Sequence, residues 1–192
     1  MLIMNFLVVA VAVSGGGIED LKVLFSGIPA DCDMAFIVVA PVQRDRESKL
    51  ADIVARYSAL PVIKATETVA IYPGNVYVIA ENSLMLVEDG CLHVRKREKY
   101  ELINTAIKDL FYSMAMTLKN RTIAVVLGGM GDSATFGATM IGDMGGYVVT
   151  KEPDFHSNSE MTKNVIEYDT PNAILPLEEI SNHLMWLSSQ RV

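Results

Sequence analysis

The chain has 192 residues, about half of them apolar, which is enough to bury a core as a single domain over residues 1–192. Its net charge of -7 argues against binding nucleic acid, and the short basic run Arg95-Lys96-Arg97 reads as a solvated loop. The two cysteines, Cys32 and Cys91, lie far apart with no C-x-x-C spacing, so neither a disulfide framework nor a zinc site is implied and a reducing, cytoplasmic setting is expected.

The first apolar run, Asn5 to Val13, could be mistaken for a signal peptide. No Lys or Arg precedes it and the polar Asn5 sits within it, so it reads as a strand buried on both faces. No run approaches the ~18 apolar residues of a membrane span. Ser14 and three glycines follow, and from Ile18 the apolar spacing turns helical. Ser14 therefore stands on a sharp strand-to-helix turn, and Ala12-Val13-Ser14-Gly15-Gly16 approximates the G-x-S-x-G nucleophile elbow, with Ala first.

Ile18, Leu21, Leu24, Phe25 and Ile28 share a helical face that ends at Pro29. Met34 to Ala40 is a second buried strand, closed by Pro41, and Leu50, Ile53, Val54 and Tyr57 mark an amphipathic helix. This alternation is the βαβ signature of a parallel sheet. Pro61 to Ala65 and Val76 to Ala80 are short strands on either side of a turn at Tyr72-Pro73-Gly74-Asn75. Ser83 to Val87 and Cys91 to Arg95 form a hairpin through Asp89-Gly90, expected at an antiparallel edge of the sheet, with His93 facing solvent or a neighbouring strand.

A long helical stripe then runs from Leu102 and Ile103 to Leu118, its methionines serving as core filler. Thr122 to Leu127 is another buried strand, followed by the loop Gly128-Gly129-Met130-Gly131-Asp132-Ser133. Tyr147 to Thr150, a loop to Ser159, a short helix, a strand at Ala173 to Leu175 and a final helix bearing Ile180, Leu184 and Leu187 complete the chain. The fold class is α/β: a doubly wound, mainly parallel sheet flanked by helices on both faces, with an antiparallel hairpin at its edge.

Ligands of such sheets collect at the carboxyl ends of the strands. The loops that leave those ends here are Ser14–Gly17, Pro41–Glu47, Gly128–Ser133 and Lys151–Ser159. The first and third are glycine-rich and suited to an oxyanion hole or a phosphate cradle. Gly15-Gly16-Gly17 lacks G-x-G-x-x-G spacing and no G-x-x-x-x-G-K-[ST] sequence occurs, which sets nucleotides aside. No cofactor and no metal is implied.

Several segments, in this order, resemble the catalytic domain of chemotaxis protein-glutamate methylesterases of the CheB type. Ala12 to Gly17 stands where that family has G-A-S-T-G-G. Leu60-Pro61-Val62 and Pro73-Gly74-Asn75-Val76-Tyr77-Val78 match L-P-V and P-G-x-V-Y-V, and Leu110-Phe111-Tyr112-Ser113 matches L-F-x-S. Leu127 to Gly131 corresponds to L-T-G-M-G, and Ile174 to Ile180 to V-L-P-L-D-E-I. The resemblance extends from about Asn5 to Leu184 and implies the methylesterase fold without the receiver domain that usually precedes it.

It also implies a Ser-His-Asp triad, in which His takes the serine proton and Asp holds the imidazole tautomer. Carried over residue by residue, the nucleophile falls on Ser14. The histidine position is Pro41, the aspartate position is Ser133, and the family's P-S-V-D aligns with Thr105-Ala106-Ile107-Lys108. Gly15, Gly16, Gly17, Gly129, Met130 and Gly131 would line the binding edge. A relocated triad of Ser14, His156 and Asp132, with Asp154 as another orienting carboxylate, is one alternative. In the other, His156 is an exposed loop histidine and Asp132 a helix cap. His183, on the last helix, lies away from this edge. The expectation is a stand-alone, catalytically impaired domain that binds or regulates, with a chemoreceptor or another methylated protein as partner. The alternative is an active serine esterase acting on receptor glutamyl methyl esters or small esters.

Overall fold

The computed structural model describes residues 5–154, 159–169 and 171–190. In chain order the elements are β1 Val8–Val13, α1 Ile18–Ser26, β2 Ala35–Val39, α2 Leu50–Tyr57, β3 Val62–Ala65, β4 Val69–Ala70, β5 Val76–Ile79, β6 Ser83–Glu88 and β7 Cys91–Lys96. There follow α3 Ala106–Leu118, β8 Thr122–Gly128, α4 Thr135–Asp143, β9 Tyr147–Lys151, α5 Glu160–Tyr168, β10 Ala173–Leu175 and α6 Leu177–Ser189.

Seven strands form a sheet in the order β10-β9-β8-β1-β2-β5-β3. Every pairing in it is parallel. Burial follows position: β1, β2 and β8 are buried at every residue, whereas β3 and β10, at the two edges, are partly open. An all-apolar run is stable only where helices cover both sheet faces, and this is why the Val- and Ala-rich β1 takes the centre. Helices α1, α2 and α6 pack on one face and α3, α4 and α5 on the other. Phe25 of α1 meets Phe36 of β2 edge to face at 5.7 Å, and both rings are fully buried. Each such ring removed from water contributes about 2–3 kcal/mol.

The chain leaves β1 toward β2 on one side and later returns as β8 on the other. The loops after β1 and β8 thus diverge at the topological switch point, where a doubly wound sheet opens a crevice. Ser14 and the Gly128–Ser133 loop occupy that point.

The hairpin expected at the sheet edge forms a small antiparallel sheet of its own, in the order β4-β7-β6. Asp89 and Gly90 turn it with positive φ of 49° and 79°, as a D-G turn requires. The third strand, β4, is two residues long, too short to show an alternating pattern. The long helix also begins later than the apolar stripe suggests. Ala106 N–H donates to Asn104 Oδ1 at 3.0 Å, turning the chain just before α3. Leu102 and Ile103 are left outside the helix, 86% and 79% exposed.

Candidate functional site

Ser14 follows the last residue of β1, and its position is set by backbone bonds. Its N–H donates to Gly128 O at 2.9 Å, which joins the elbow to the end of β8, and Gly17 N–H donates to Ser14 O at 2.9 Å, which closes the turn. Gly129, at φ 132°, passes so close that a Cβ there would lie 2.2 Å from Ser14 Cβ. The two glycine-rich loops are thus packed against each other, and a side chain at Gly17 or Gly129 would separate them.

Ser14 is half-buried and lines a cavity of about 380 Å³ with Gly15, Ile18, Pro41, Val42, Glu47 and Lys49, among others. Pro41 follows β2 in a tight turn in which Val42 N–H donates to Ala40 O at 2.8 Å. It brings a pyrrolidine ring, with nothing to accept a proton, into the wall of the serine's cavity. Ser48, on the same wall, donates its N–H to Glu81 Oε2 at 3.2 Å, and that oxygen also receives Lys64 Nζ at 2.8 Å. Lys64 above all holds the Glu81 carboxyl down at about 2.

Ser133 and Asp132 fall elsewhere. They line a second cavity, of about 610 Å³, with Lys108, Thr135, Phe136, Asn164 and Tyr168. The Ser133 hydroxyl lies 3.9 Å from Met161 Sδ. Asp132 is exposed and starts the α4 turn through its carbonyl, which accepts Thr135 N–H at 3.0 Å, while α4 has no side-chain cap.

The loop between these serines is fastened to α5. Gly131 N–H donates to Glu160 Oε2 at 2.9 Å, Asn164 Nδ2 donates to Gly131 O at 3.0 Å, and Met161 N–H donates to Gly129 O at 3.0 Å. Gly131's amide, expected to face a ligand, is engaged by a carboxylate. Nothing in the sequence marks Asn164 for this role, and the local signal for Glu160 is an acidic residue in the first turn of a helix. Met130 is left exposed between these anchors.

Of the three histidines in the chain, His156 lies outside the described residues. His93 is exposed on β7. His183 lies 3.1 Å through Nε2 from the hydroxyl of Tyr147, the first residue of β9, at the end of the sheet opposite Ser14. Burial lowers its pKa. Among the described residues no cluster of His, Cys, Asp or Glu could hold a metal, and no helix is long and apolar enough to cross a membrane.

A serine on a strand-to-helix elbow, at the carboxyl edge of a doubly wound sheet, defines an α/β protein built like a serine hydrolase. A family model described as CheB methylesterase matches residues 9–184. The chain belongs to the CheB methylesterase family. It is 28% identical over 180 residues to protein-glutamate methylesterase/protein-glutamine glutaminase 2 of Burkholderia pseudomallei, covering 93% of this chain and 53% of that protein. Enzyme 1 of the same name from Carboxydothermus hydrogenoformans is 25% identical, over 92% of this chain and 54% of its own length. The chain thus spans about half the length of these relatives. A putative enzyme of that name from Leptospira interrogans is 24% identical and is covered over 93% of both chains. The crystal structure of the Thermotoga maritima CheB methylesterase catalytic domain superposes with a TM-score of 0.84 at 26% identity, over 95% of this chain and 98% of that one.

Proposed function

We propose that this chain is a single methylesterase-like domain over residues 1–192 that has kept the serine elbow as a binding site and lost efficient hydrolysis. The observation that carries this reading is Pro41 in the wall of the Ser14 cavity. A serine hydroxyl at neutral pH becomes a nucleophile only when a neighbouring base takes its proton. Proline cannot do so, and the hydroxyl of Ser133 cannot hold an imidazole as a carboxylate does. The involvement of Gly131 N–H with Glu160 removes one further donor from a developing oxyanion.

Named relatives act on protein glutamate methyl esters and protein glutamine. The ligand class proposed for the Ser14 cavity is accordingly the side chain of a glutamyl methyl ester, a glutamine or a glutamate, held on a polypeptide such as a chemoreceptor. Gly15, which lines the cavity, and the exposed Gly16 and Met130 form the proposed binding edge, while Gly17 and Gly129 are buried where the two loops pack. Triad-deficient enzymes still exceed water by about 10³ through binding and the oxyanion hole, so residual turnover is compatible with this role. The test is hydrolysis of an activated ester and of a methylated receptor peptide by wild type and Ser14→Ala. Equal rates are expected. Activity lost in Ser14→Ala and also in His156→Ala, but kept in His183→Ala, would overturn the reading and establish a relocated triad.

A further inference from the structure

Beside the serine cavity lies one of about 500 Å³, lined by Arg44, Arg46, Arg97, Asp45, Asn104 and Leu102, and by Pro41 and Val42, which line the serine cavity too. Its cations are unusually arranged. Arg44 and Arg97 both donate a guanidinium NH₂ group to the carbonyl oxygen of Glu101, Arg97 at 2.7 Å. The Glu101 carboxylate is turned away to Arg95, at 2.7 and 2.8 Å, and to Glu98 N–H at 2.6 Å. Arg97 is only 8% exposed, and its Nε is buried without a hydrogen-bond partner. Burial, first, and the nearby Arg44 lower the pKa of its guanidinium, against a smaller opposing pull from the charge of Glu101. Among the described residues none of these three arginines has a carboxylate within 4.0 Å.

Two guanidiniums directed at one neutral carbonyl repel each other, and a buried cation with an unused donor is costly unless an anion completes it. Asp45 is the one carboxylate on this wall, set against three cations. The chain as a whole carries -7, so a positive cavity is not the product of a basic surface. A planar carboxylate fits guanidinium forks in bidentate fashion.

We infer that the Arg44–Arg46–Arg97 cavity is a carboxylate-binding subsite, filled by an acidic side chain of a polypeptide that lies across Pro41 toward Ser14. The identity of that polypeptide rests on the glutamyl-binding reading; the subsite itself rests on the arginines.

The experiment measures binding of a labelled Glu-rich peptide carrying one glutamyl methyl ester, and of the same peptide with its free Glu residues replaced by Gln. The protein is the whole chain, as wild type, Arg44→Gln, Arg46→Gln and the charge control Arg121→Gln, whose residue lies just before β8 at the far end of the sheet. Arg44 and Arg46 are more exposed than Arg97, so their variants are expected to fold, as thermal melts would verify. The expected result is about tenfold weaker binding of the Glu peptide to either variant, with the Gln peptide and Arg121→Gln unaffected. Equal losses for both peptides, or none, would overturn the subsite while leaving glutamyl binding intact. Glutarate should raise the melting midpoint of wild type and not of Arg44→Gln. That result without peptide binding would support the subsite and remove the polypeptide reading. Inorganic phosphate protecting at lower concentration than glutarate would overturn the carboxylate assignment.

Discussion

Gly129 stands against Ser14 so closely that a Cβ on the glycine would lie 2.2 Å from the serine's own Cβ. The contact fixes the elbow against the loop after β8 and leaves no room for adjustment, since the near atoms include Ser14 backbone. Gly129→Ala, at φ 132°, therefore combines a clash with left-handed strain. A loss of about 2–3 kcal/mol is expected in urea unfolding. A change below ~0.5 kcal/mol would mean that the two loops part at little cost.

If Pro41 is what silences Ser14, a base at that position should restore chemistry. Pro41→His is expected to raise kcat/KM for an activated ester by about 10² over wild type. Adding Ser14→Ala should abolish the gain. A folded Pro41→His protein with wild-type rates would show that the elbow is not arranged for attack.

The Glu160–Gly131 bond predicts a local dynamic effect. Glu160→Ala leaves the Gly131 amide without its acceptor, which should destabilise the loop by about 1–2 kcal/mol. Amide exchange at Gly131 should then quicken about tenfold or more while strand β8 keeps its protection. Unchanged exchange would mean that Asn164 and Met161 alone hold the loop.

Acid should loosen the serine cavity through Glu81. Its carboxyl is lowered from 4.5 to about 2, first by Lys64 and then by backbone donors that include Ser48. A carboxyl with a depressed folded pKa contributes stability that is complete above its unfolded value and fades as pH falls toward the folded one. The window is therefore pH 4.5 down to about 2. The partly exposed pair is worth less than ~1 kcal/mol. Urea midpoints for Glu81→Gln should fall less steeply across that window than wild type. Parallel curves would assign the acid sensitivity to other groups. Glu101, held near 2 chiefly by Arg95, titrates over the same range and provides the comparison.

What the sequence by itself determined was the centre of the molecule. Apolar runs at β1, β2 and β8, each followed within two residues by Pro or Gly, mark buried parallel strands because strand periodicity and turn chemistry are local properties. The same locality made Ser14 readable as an elbow, while Pro41 and Ser133 were marked as the places of its helpers only by the resemblance to the CheB family. Tertiary structure alone decided which of these share a space: Pro41 lines the Ser14 cavity, while Ser133 and Asp132 line another. It also joined β4 to the hairpin, left Leu102 and Ile103 in solvent, and set Glu160 on Gly131 and Arg44 beside Arg97. Those partners are remote in sequence and have no common period. Their meeting depends on how the loops cross at the carboxyl edge of the sheet, which no local pattern encodes.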